Sequence, residues 1–172
     1  MVSGIILAEG RVPERSDLER MLNALHTASV LDVVVVLGRQ SKSTCDSFAR
    51  WYSGKYLVDE GLETGLHHSI PKGFDALDQD DLHGAIVCPI AQFPLSQEIV
   101  VDLLQAFWKS HKKLIVPLVD GGCAPPVILD RTIIEEMKTG ARYTSIEEIV
   151  THYRNDVIEV PIRIDSTWRS EH

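Results

Sequence analysis

S-G-I-I-L-A-E-G-R, from Ser3 to Arg11, is the stretch of this 172-residue chain that decides its fold. The run from Gly4 to Ala8 is continuously apolar, which is typical of a strand buried on both faces of a sheet. Gly10 follows at the carboxyl end of that strand, where open α/β sheets bind ligands. A glycine there can adopt a positive φ and let backbone N–H groups approach an anion. The stretch predicts a central strand ending in a nucleotide-phosphate loop, although Gly10 can also serve only to reverse the chain.

Strands and helices alternate along the rest of the chain. Apolar runs predict strands at 4–8, 32–37, 55–58, 85–90, 114–119, 127–129 and 157–164. Apolar residues at helical spacing predict helices at 16–28, 43–52, 68–77, 96–110, 132–137 and 145–153. Ser16 and Ser96 are the expected N-caps of the first and fourth helices. The alternation predicts one three-layer α/β/α domain over residues 1–172, with a mostly parallel mixed sheet.

The composition and charge exclude several classes of partner. The net charge is −8, from 17 basic and 25 acidic residues, and the basic residues form no stripe. Because binding a nucleic-acid backbone needs clustered Lys and Arg, we expect no nucleic-acid partner. The apolar runs are far shorter than the roughly 20 residues of a membrane span, so we expect no membrane association. No secretory leader is recognisable, which favours a cytoplasmic protein; the oligomeric state stays open.

Four later segments follow the first loop in a fixed order. They are G-L-H-H-S-I at 65–70, I-V-C-P-I-A-Q-F-P at 86–94, V-D-G-G-C-A-P-P-V-I-L at 119–129, and G-A-R at 140–142 with I-D-S-T at 164–167. With L-A-E-G-R, this order resembles the MobA-like nucleotidyltransferase family, which includes molybdenum-cofactor guanylyl- and cytidylyltransferases. The corresponding family motifs are L-A-A-G-x-S-x-R-M-G-x-x-K, G-x-x-x-S-I, D-Q-P, G-x-x-G-x-P-V, G-A-R and D-I-D-T. The resemblance implies a GT-A fold of the nucleotide-diphospho-sugar transferase type.

The resemblance also implies an activity and a site. Family members transfer a nucleoside monophosphate from a nucleoside triphosphate to a phosphorylated acceptor such as a molybdopterin cofactor, with Mg²⁺ neutralising the phosphates. Residue by residue, it implies a nucleotide-binding set of Leu7, Ala8, Glu9, Gly10, Arg11, Ser69 and Arg142. The catalytic set that it implies is Arg11, Gln92 and Asp165, with Asp165 also as the metal ligand.

The chain departs from the family at the metal-binding carboxylate. Pro94 matches the proline of D-Q-P, so Gln92 stands where the family has aspartate. A neutral amide offers only a carbonyl oxygen, whereas Mg²⁺ prefers one or two carboxylates besides substrate phosphates. We therefore expect weakened Mg²⁺ binding. Asp165 matches the second acidic motif, although a solvated residue near the carboxyl terminus is an equally good interpretation.

The first loop departs from the family as well. No lysine precedes Lys42, so the segment that carries the family's phosphate-binding lysine is missing. Arg11 or Arg15 is the candidate replacement, while Glu9 and Glu14 add negative charge that opposes a triphosphate.

The remaining candidates each have a structural alternative. Adjacent helical residues point about 100° apart, so we expect His67 and His68 to cap a helix rather than face one site. Ser69 is expected near the nucleotide at the start of that helix. Arg142 is either a phosphate ligand or an ion-pairing surface residue.

Three functions remain open. The first is a working nucleotidyltransferase that tolerates Gln92. The second is a catalytically impaired member that binds a nucleotide, a cofactor precursor or a protein. The third is a different ligand-binding or regulatory domain that shares only the architecture.

Overall fold

The computed structural model describes residues 1–90 and 95–163 of the chain. Within these ranges the strands are β1 (Val2–Ala8), β2 (Val33–Leu37), β3 (Lys55–Val58), β4 (Gly84–Pro89), β5 (Leu114–Val119), β6 (Gly122–Cys123), β7 (Val127–Asp130) and β8 (Val157–Pro161). The helices are α1 (Arg15–Thr27), α2 (Lys42–Trp51), α3 (Leu66–Asp75), α4 (Gln97–Ser110), α5 (Arg131–Lys138) and α6 (Ile146–His152), with a 3₁₀ turn at Leu62–Thr64.

All the described strands join one sheet in the order β3-β2-β1-β4-β7-β5-β6, and β8 pairs with β5. The pairs β1–β2, β1–β4, β2–β3 and β5–β8 are parallel, whereas β7 runs antiparallel to both β4 and β5. The register places Ala8 beside Leu37, and Leu7 beside Pro89. The carboxyl ends of β1, β2, β3 and β4 therefore meet at one edge, which we call the carboxyl edge.

The helices cover both faces of the sheet because alternate strand residues point to opposite sides. Ile5 and Leu7 of β1 pack into one apolar core with side chains of α3, α5 and α6. Ile6 and Ala8 pack into a second core with side chains of α1, α2 and α4. All seven residues of β1 are buried, as expected for a central strand. The predicted three-layer α/β/α sandwich of GT-A type is confirmed.

The element boundaries agree with the sequence analysis within a few residues. Ser96 caps α4 as predicted, accepting a hydrogen bond from the Ile99 N–H at 3.4 Å. Ser16 was wrong as a cap: α1 begins at Arg15, and the capping position is Glu14, whose side chain makes no capping hydrogen bond. The short strand β6 was not predicted, because two residues carry no readable periodicity. None of the helices in the described part is long and apolar enough to cross a membrane.

Candidate functional site

Gly10 lies at the carboxyl edge, two residues beyond the end of β1. Its φ is +76°, in the left-handed region, and a Cβ added there would meet no atom within 4 Å. The predicted positive φ is confirmed. Within residues 1–90 and 95–163, the Gly10 N–H donates to no acceptor, and the residue is exposed. The turn therefore presents a free backbone donor at the edge where open α/β sheets bind ligands.

The loop that follows β2 supports this turn. The Gly38 N–H donates to the Ala8 carbonyl at 3.2 Å, and the Gln40 side-chain amide donates to the Gly10 carbonyl at 3.2 Å. A Cβ on Gly38 would lie 3.7 Å from the Gly10 nitrogen. The two loops thus form one continuous surface, in which the Gly10 carbonyl is engaged and its N–H remains available.

The cations nearest in sequence to the first loop are both paired with acids. Arg11 lies 3.8 Å from the Glu14 carboxylate, and Arg15 lies 2.7 Å from that of Glu19. All four side chains are well exposed, so these pairs are weak, but they do offset the positive charge beside Gly10. Whether Arg11 or Arg15 replaces the missing lysine stays a prediction.

Arg39 is a cation that the sequence analysis missed. It follows Gly38 directly, is exposed, and makes no ion pair with any residue that the structure describes. Its position at the end of β2 puts it beside the Gly10 turn, because Gly38 hydrogen-bonds to Ala8. The signal in the sequence was a Gly-Arg pair after a buried valine strand. No local pattern marks this arginine as a phosphate ligand, because its place beside the Gly10 turn depends on the pairing of β1 with β2.

Asp59, one residue beyond β3, is the centre of a buried polar cluster at the same edge. Its side chain is fully buried and accepts hydrogen bonds from the Ser69 hydroxyl at 2.6 Å, the Lys72 ammonium at 2.5 Å and the Gly61 N–H at 3.1 Å. Burial alone raises the pKa of Asp59, but these donors outweigh it and hold the pKa below its usual value. The cluster ties the end of β3 to the first turns of α3.

Ser69 therefore sits at the start of α3 with its hydroxyl already committed to Asp59. The side chain is completely buried. Its proposed contact with a nucleotide stays a prediction.

The two histidines behave differently from expectation. Their ring centroids lie 4.4 Å apart with planes 40° apart, so the rings are in contact rather than divergent. The backbone directions differ by about 100°, but free rotation about the side-chain bonds lets the rings turn toward each other. Neither residue caps α3, whose capping position is Gly65. His67 is instead held by the Tyr143 carbonyl, which accepts from both its backbone N–H at 3.2 Å and its Nδ1 at 3.1 Å.

Arg142 comes immediately before Tyr143, so the same contacts bring it close to the start of α3. It is exposed, and no ion pair links it to another described residue. This arrangement is compatible with a phosphate ligand and removes the alternative of a surface ion pair within the described chain. Whether it binds the nucleotide stays a prediction.

Gln92, Pro94 and Asp165 lie outside the described residues. Ile90, the last described residue before this gap, lies at the carboxyl edge, where its N–H donates to the Leu7 carbonyl at 2.8 Å. Across 1–90 and 95–163, no three His, Cys, Asp or Glu side chains lie close enough together to hold a metal ion. The two residues that the family resemblance places at a metal ion, Gln92 and Asp165, lie outside those ranges.

A mixed sheet with a glycine turn at the carboxyl end of its central strand defines the class: a nucleotidyltransferase-like α/β protein of the GT-A type. The family model of the MobA-like NTP transferase domain matches residues 10–157, so the chain belongs to that family. No curated protein sequence matches the chain significantly.

Several solved structures share the fold. Rv0371c from Mycobacterium tuberculosis H37Rv, crystallised in complex with manganese, superposes with a TM-score of 0.71 at 17% identity, covering 94% of this chain and 88% of that one. The 4-diphosphocytidyl-2C-methyl-D-erythritol synthase of Anaerococcus prevotii gives 0.66 at 16% identity, covering 96% and 90%. Molybdopterin-guanine dinucleotide biosynthesis protein A of Archaeoglobus fulgidus gives 0.58 at 15% identity, covering 98% and 88%. At these identities the likeness establishes the fold alone.

Proposed function

We propose that the chain binds a nucleoside triphosphate at the carboxyl edge, with its phosphates against the Gly10 turn. The observation that carries the proposal is the unengaged Gly10 N–H at a positive φ, at the end of the central strand. Leu7, Ala8, Glu9 and Arg11 complete the loop around it. Arg39 supplies the cation that the family obtains from its loop lysine, because Arg11 and Arg15 face carboxylates.

The reaction proposed for this site is transfer of a nucleoside monophosphate to a phosphorylated acceptor. Family membership supports the reaction class, and the shared fold with molybdopterin-guanine dinucleotide biosynthesis protein A of Archaeoglobus fulgidus supports a molybdopterin-like acceptor. A divalent ion, Mg²⁺ or Mn²⁺, would neutralise charge on the phosphates when bound. Asp165 is the carboxylate proposed to hold it, and Gln92 adds only an amide oxygen. Nucleoside triphosphates are cytoplasmic substrates, in keeping with a cytoplasmic location.

A second candidate is an impaired family member that binds a nucleotide, cofactor precursor or protein without turning over. Gln92 in place of the family aspartate favours it, because an amide offers no negative charge to a metal ion. Glu9 and Glu14, on either side of the first loop's cation, further weaken the attraction for a triphosphate. The two candidates share the binding step and differ only in turnover.

Calorimetry with ATP, GTP, CTP and UTP, each with and without Mg²⁺ or Mn²⁺, tests the binding step. A nucleotide at 100 times its dissociation constant stabilises the native state by about 2.7 kcal/mol, which a thermal shift detects. Arg39→Ala is expected to weaken binding about tenfold, as loss of one charge-assisted contact should. Arg154→Ala is the matched control, since Arg154 is equally exposed but precedes β8, whose amino end lies at the opposite edge.

Two results would contradict the proposal: no nucleotide stabilises the protein, or Arg39→Ala and Arg154→Ala bind equally well. Pyrophosphate release then separates the candidates. Turnover by the native chain with any acceptor supports the transferase. Nucleotide binding without pyrophosphate release from any of the four triphosphates supports the impaired member.

A further inference from the structure

The strand β3 forms one edge of the sheet, and its outer side pairs with no strand in the described part of the chain. The register on its inner side fixes which backbone groups point outward. The Asp59 N–H donates to the Leu37 carbonyl at 2.8 Å, so Asp59 and Leu57 direct their backbone groups toward β2. Because these directions alternate along a strand, Tyr56 and Val58 point their N–H and carbonyl groups away from the sheet. An unpaired row of this kind is a template for pairing with another chain.

The side chains of the same two residues are apolar and exposed. Tyr56 is 36% exposed and Val58 is 40% exposed. Both lie on the face that α2 covers, since their partners Val35 and Leu37 on β2 pack into the core that contains the α2 side chains. Tyr56 packs edge-on against Phe48 of α2, with ring centroids 5.2 Å apart. Five large apolar side chains are exposed in the described part, and two of them lie on this four-residue strand.

The usual protections of an exposed edge are missing from β3. Proline and charged side chains within a strand discourage pairing with another chain. The strand β8, whose described pairing is with β5 alone, carries Glu159 in its interior and ends in Pro161. In β3 the one charged residue is Lys55, which is the first of the strand and is bonded to Asp32 at 2.7 Å. The rest of β3 is apolar and free to pair.

A second copy of the chain fits this edge in one register. When two β3 strands run antiparallel about a twofold axis at Leu57, Tyr56 of each copy lies opposite Val58 of the other. These are the residues whose backbone groups are free, so each such pair exchanges both of its hydrogen bonds. The register also places an aromatic side chain opposite a β-branched one, which is a favourable cross-strand combination.

The charges at the two ends of β3 favour the antiparallel direction. Lys55 begins the strand. Glu60, two residues beyond its end, is exposed and pairs with no residue that the structure describes. Antiparallel pairing brings the positive start of each strand beside the acidic end of the other, whereas a parallel pair would align like charges. The edge is therefore complementary to itself in hydrogen bonding, in apolar contact and in charge.

We propose that the chain forms a weak symmetric dimer in which two β3 strands pair antiparallel through Tyr56 and Val58, joining the two sheets into one. Two four-residue edges make an interface below the roughly 1,200 Å² of stable complexes, so we expect a dissociation constant of about 10–100 µM. The carboxyl edges of the two copies face opposite directions, because the strands of the second copy run the other way. Each Gly10 turn thus stays open, and dimerisation does not require nucleotide.

Sedimentation velocity of the full chain without nucleotide, from about 1 to about 500 µM, tests the proposal across the expected dissociation constant. The average mass should rise from that of a monomer toward that of a dimer. Val58→Lys should weaken dimerisation about tenfold, because a twofold interface carries each change twice. Val58→Pro removes an outward N–H that the pairing with β2 does not use, and it should weaken the dimer to a similar extent. Trp108→Lys, at an exposed apolar position on α4, is the matched control and should leave the dimer unchanged.

A cysteine at the twofold axis tests the register. Leu57→Cys places two thiols opposite each other with the Cα atoms about 4.5 Å apart, within the range of a disulfide, so mild oxidation should cross-link the copies. Glu60→Cys should not cross-link, because its two positions lie at opposite ends of the paired strands. The native chain under the same oxidation gives the background from its own free cysteines, Cys45 and Cys123 among them.

The proposal is overturned if the chain stays monomeric up to about 500 µM, well above the expected dissociation constant. It is also overturned if both Val58 variants dimerise like the native chain, since the contact then lies elsewhere. Failure of Leu57→Cys to cross-link above the native background, or equal cross-linking of Glu60→Cys, would overturn the antiparallel β3 pairing itself.

Discussion

Replacing Asp59 with asparagine removes the only formal negative charge from the buried cluster at the end of β3 while keeping the shape of the side chain. The native carboxylate accepts three hydrogen bonds, of which the bond to Lys72 is an ion pair. The amide can still accept at one oxygen, but its NH₂ group faces donors where an acceptor is required. We therefore expect Asp59→Asn to lower the free energy of unfolding.

The expected size follows from the partners of the carboxylate. A hydrogen bond to a charged group contributes about 1.5–3 kcal/mol, and breaking a fully buried ion pair costs about 3–5 kcal/mol. Lys72 is 55% exposed, so water can solvate its ammonium in the variant. The loss of stability therefore falls toward the lower end of these ranges. We expect about 2–3 kcal/mol. For a chain of this length, that corresponds to a fall in Tm of about 5–10 °C.

The loss should depend on pH in a defined direction. Because the folded protein holds the pKa of Asp59 below its usual value, the contribution of the carboxylate is fully present above the unfolded pKa of about 3.9. It disappears as the pH falls through the lower, folded pKa. Urea unfolding of the native and Asp59→Asn proteins should differ by a constant amount from pH 7 to about 5, and the difference should shrink below about pH 4.

Asp46→Asn is the matched control, because Asp46 is exposed on α2 and has no ion pair within the described chain. It should alter stability by less than about 0.5 kcal/mol. The argument that the carboxylate stabilises the edge through its three donors would be refuted by either of two results. One is a loss of stability below about 0.5 kcal/mol for Asp59→Asn. The other is a stability difference between the native and Asp59→Asn proteins that grows as the pH falls.

Three further predictions concern the site. Gly10→Val should weaken nucleotide binding and cost about 1–2 kcal/mol of stability, since a β-branched residue is strained at a φ of +76°; unchanged affinity by calorimetry would leave the turn as chain reversal only. Ser69→Ala should lower stability by about 1 kcal/mol, because the hydroxyl is buried against Asp59; unchanged nucleotide affinity in the folded variant would remove Ser69 from the predicted nucleotide-binding set. Gln92→Asp should increase the dependence of nucleotide affinity on Mg²⁺ by restoring a carboxylate; metal titrations showing no change would point to the missing lysine instead.

Most of the fold could be predicted from the sequence, because strands buried on both faces of a sheet have continuous apolar sequences. Val33–Leu37 and Leu114–Val119 were both predicted within a residue of their observed bounds. The N-cap of α1 was not predicted correctly. The helix begins at Arg15, one residue before the expected Ser16, so Glu14 occupies the capping position. Two-residue β6 lies below the length at which alternation can be recognised.

The site was predicted less completely, for physical reasons. The positive φ of Gly10 could be predicted because glycine is the residue that adopts this conformation without strain in a turn after a strand. Asp59 and Arg39 were missed because the contacts of Asp59 and the position of Arg39 depend on distant segments of the chain, not on a local pattern. Asp59 joins Ser69 and Lys72 from another element, and Arg39 gains significance only from the hydrogen bond between Gly38 and Ala8. The histidine pair was misjudged because backbone spacing alone does not fix side-chain rotamers.

The central position of β1 also sets the order in which the sheet can be completed during synthesis. β1, β2 and β3 emerge first and pair with one another, but the other side of β1 is paired with β4, where Val2 lies against Gly84. β5 waits longer for its parallel partner, since Leu114 lies against Val157. Pairing over such separations is slow and leaves strand edges exposed meanwhile. A nascent or truncated chain that stops before β4 therefore presents the open side of an apolar strand to any neighbouring chain, which makes premature termination an aggregation hazard.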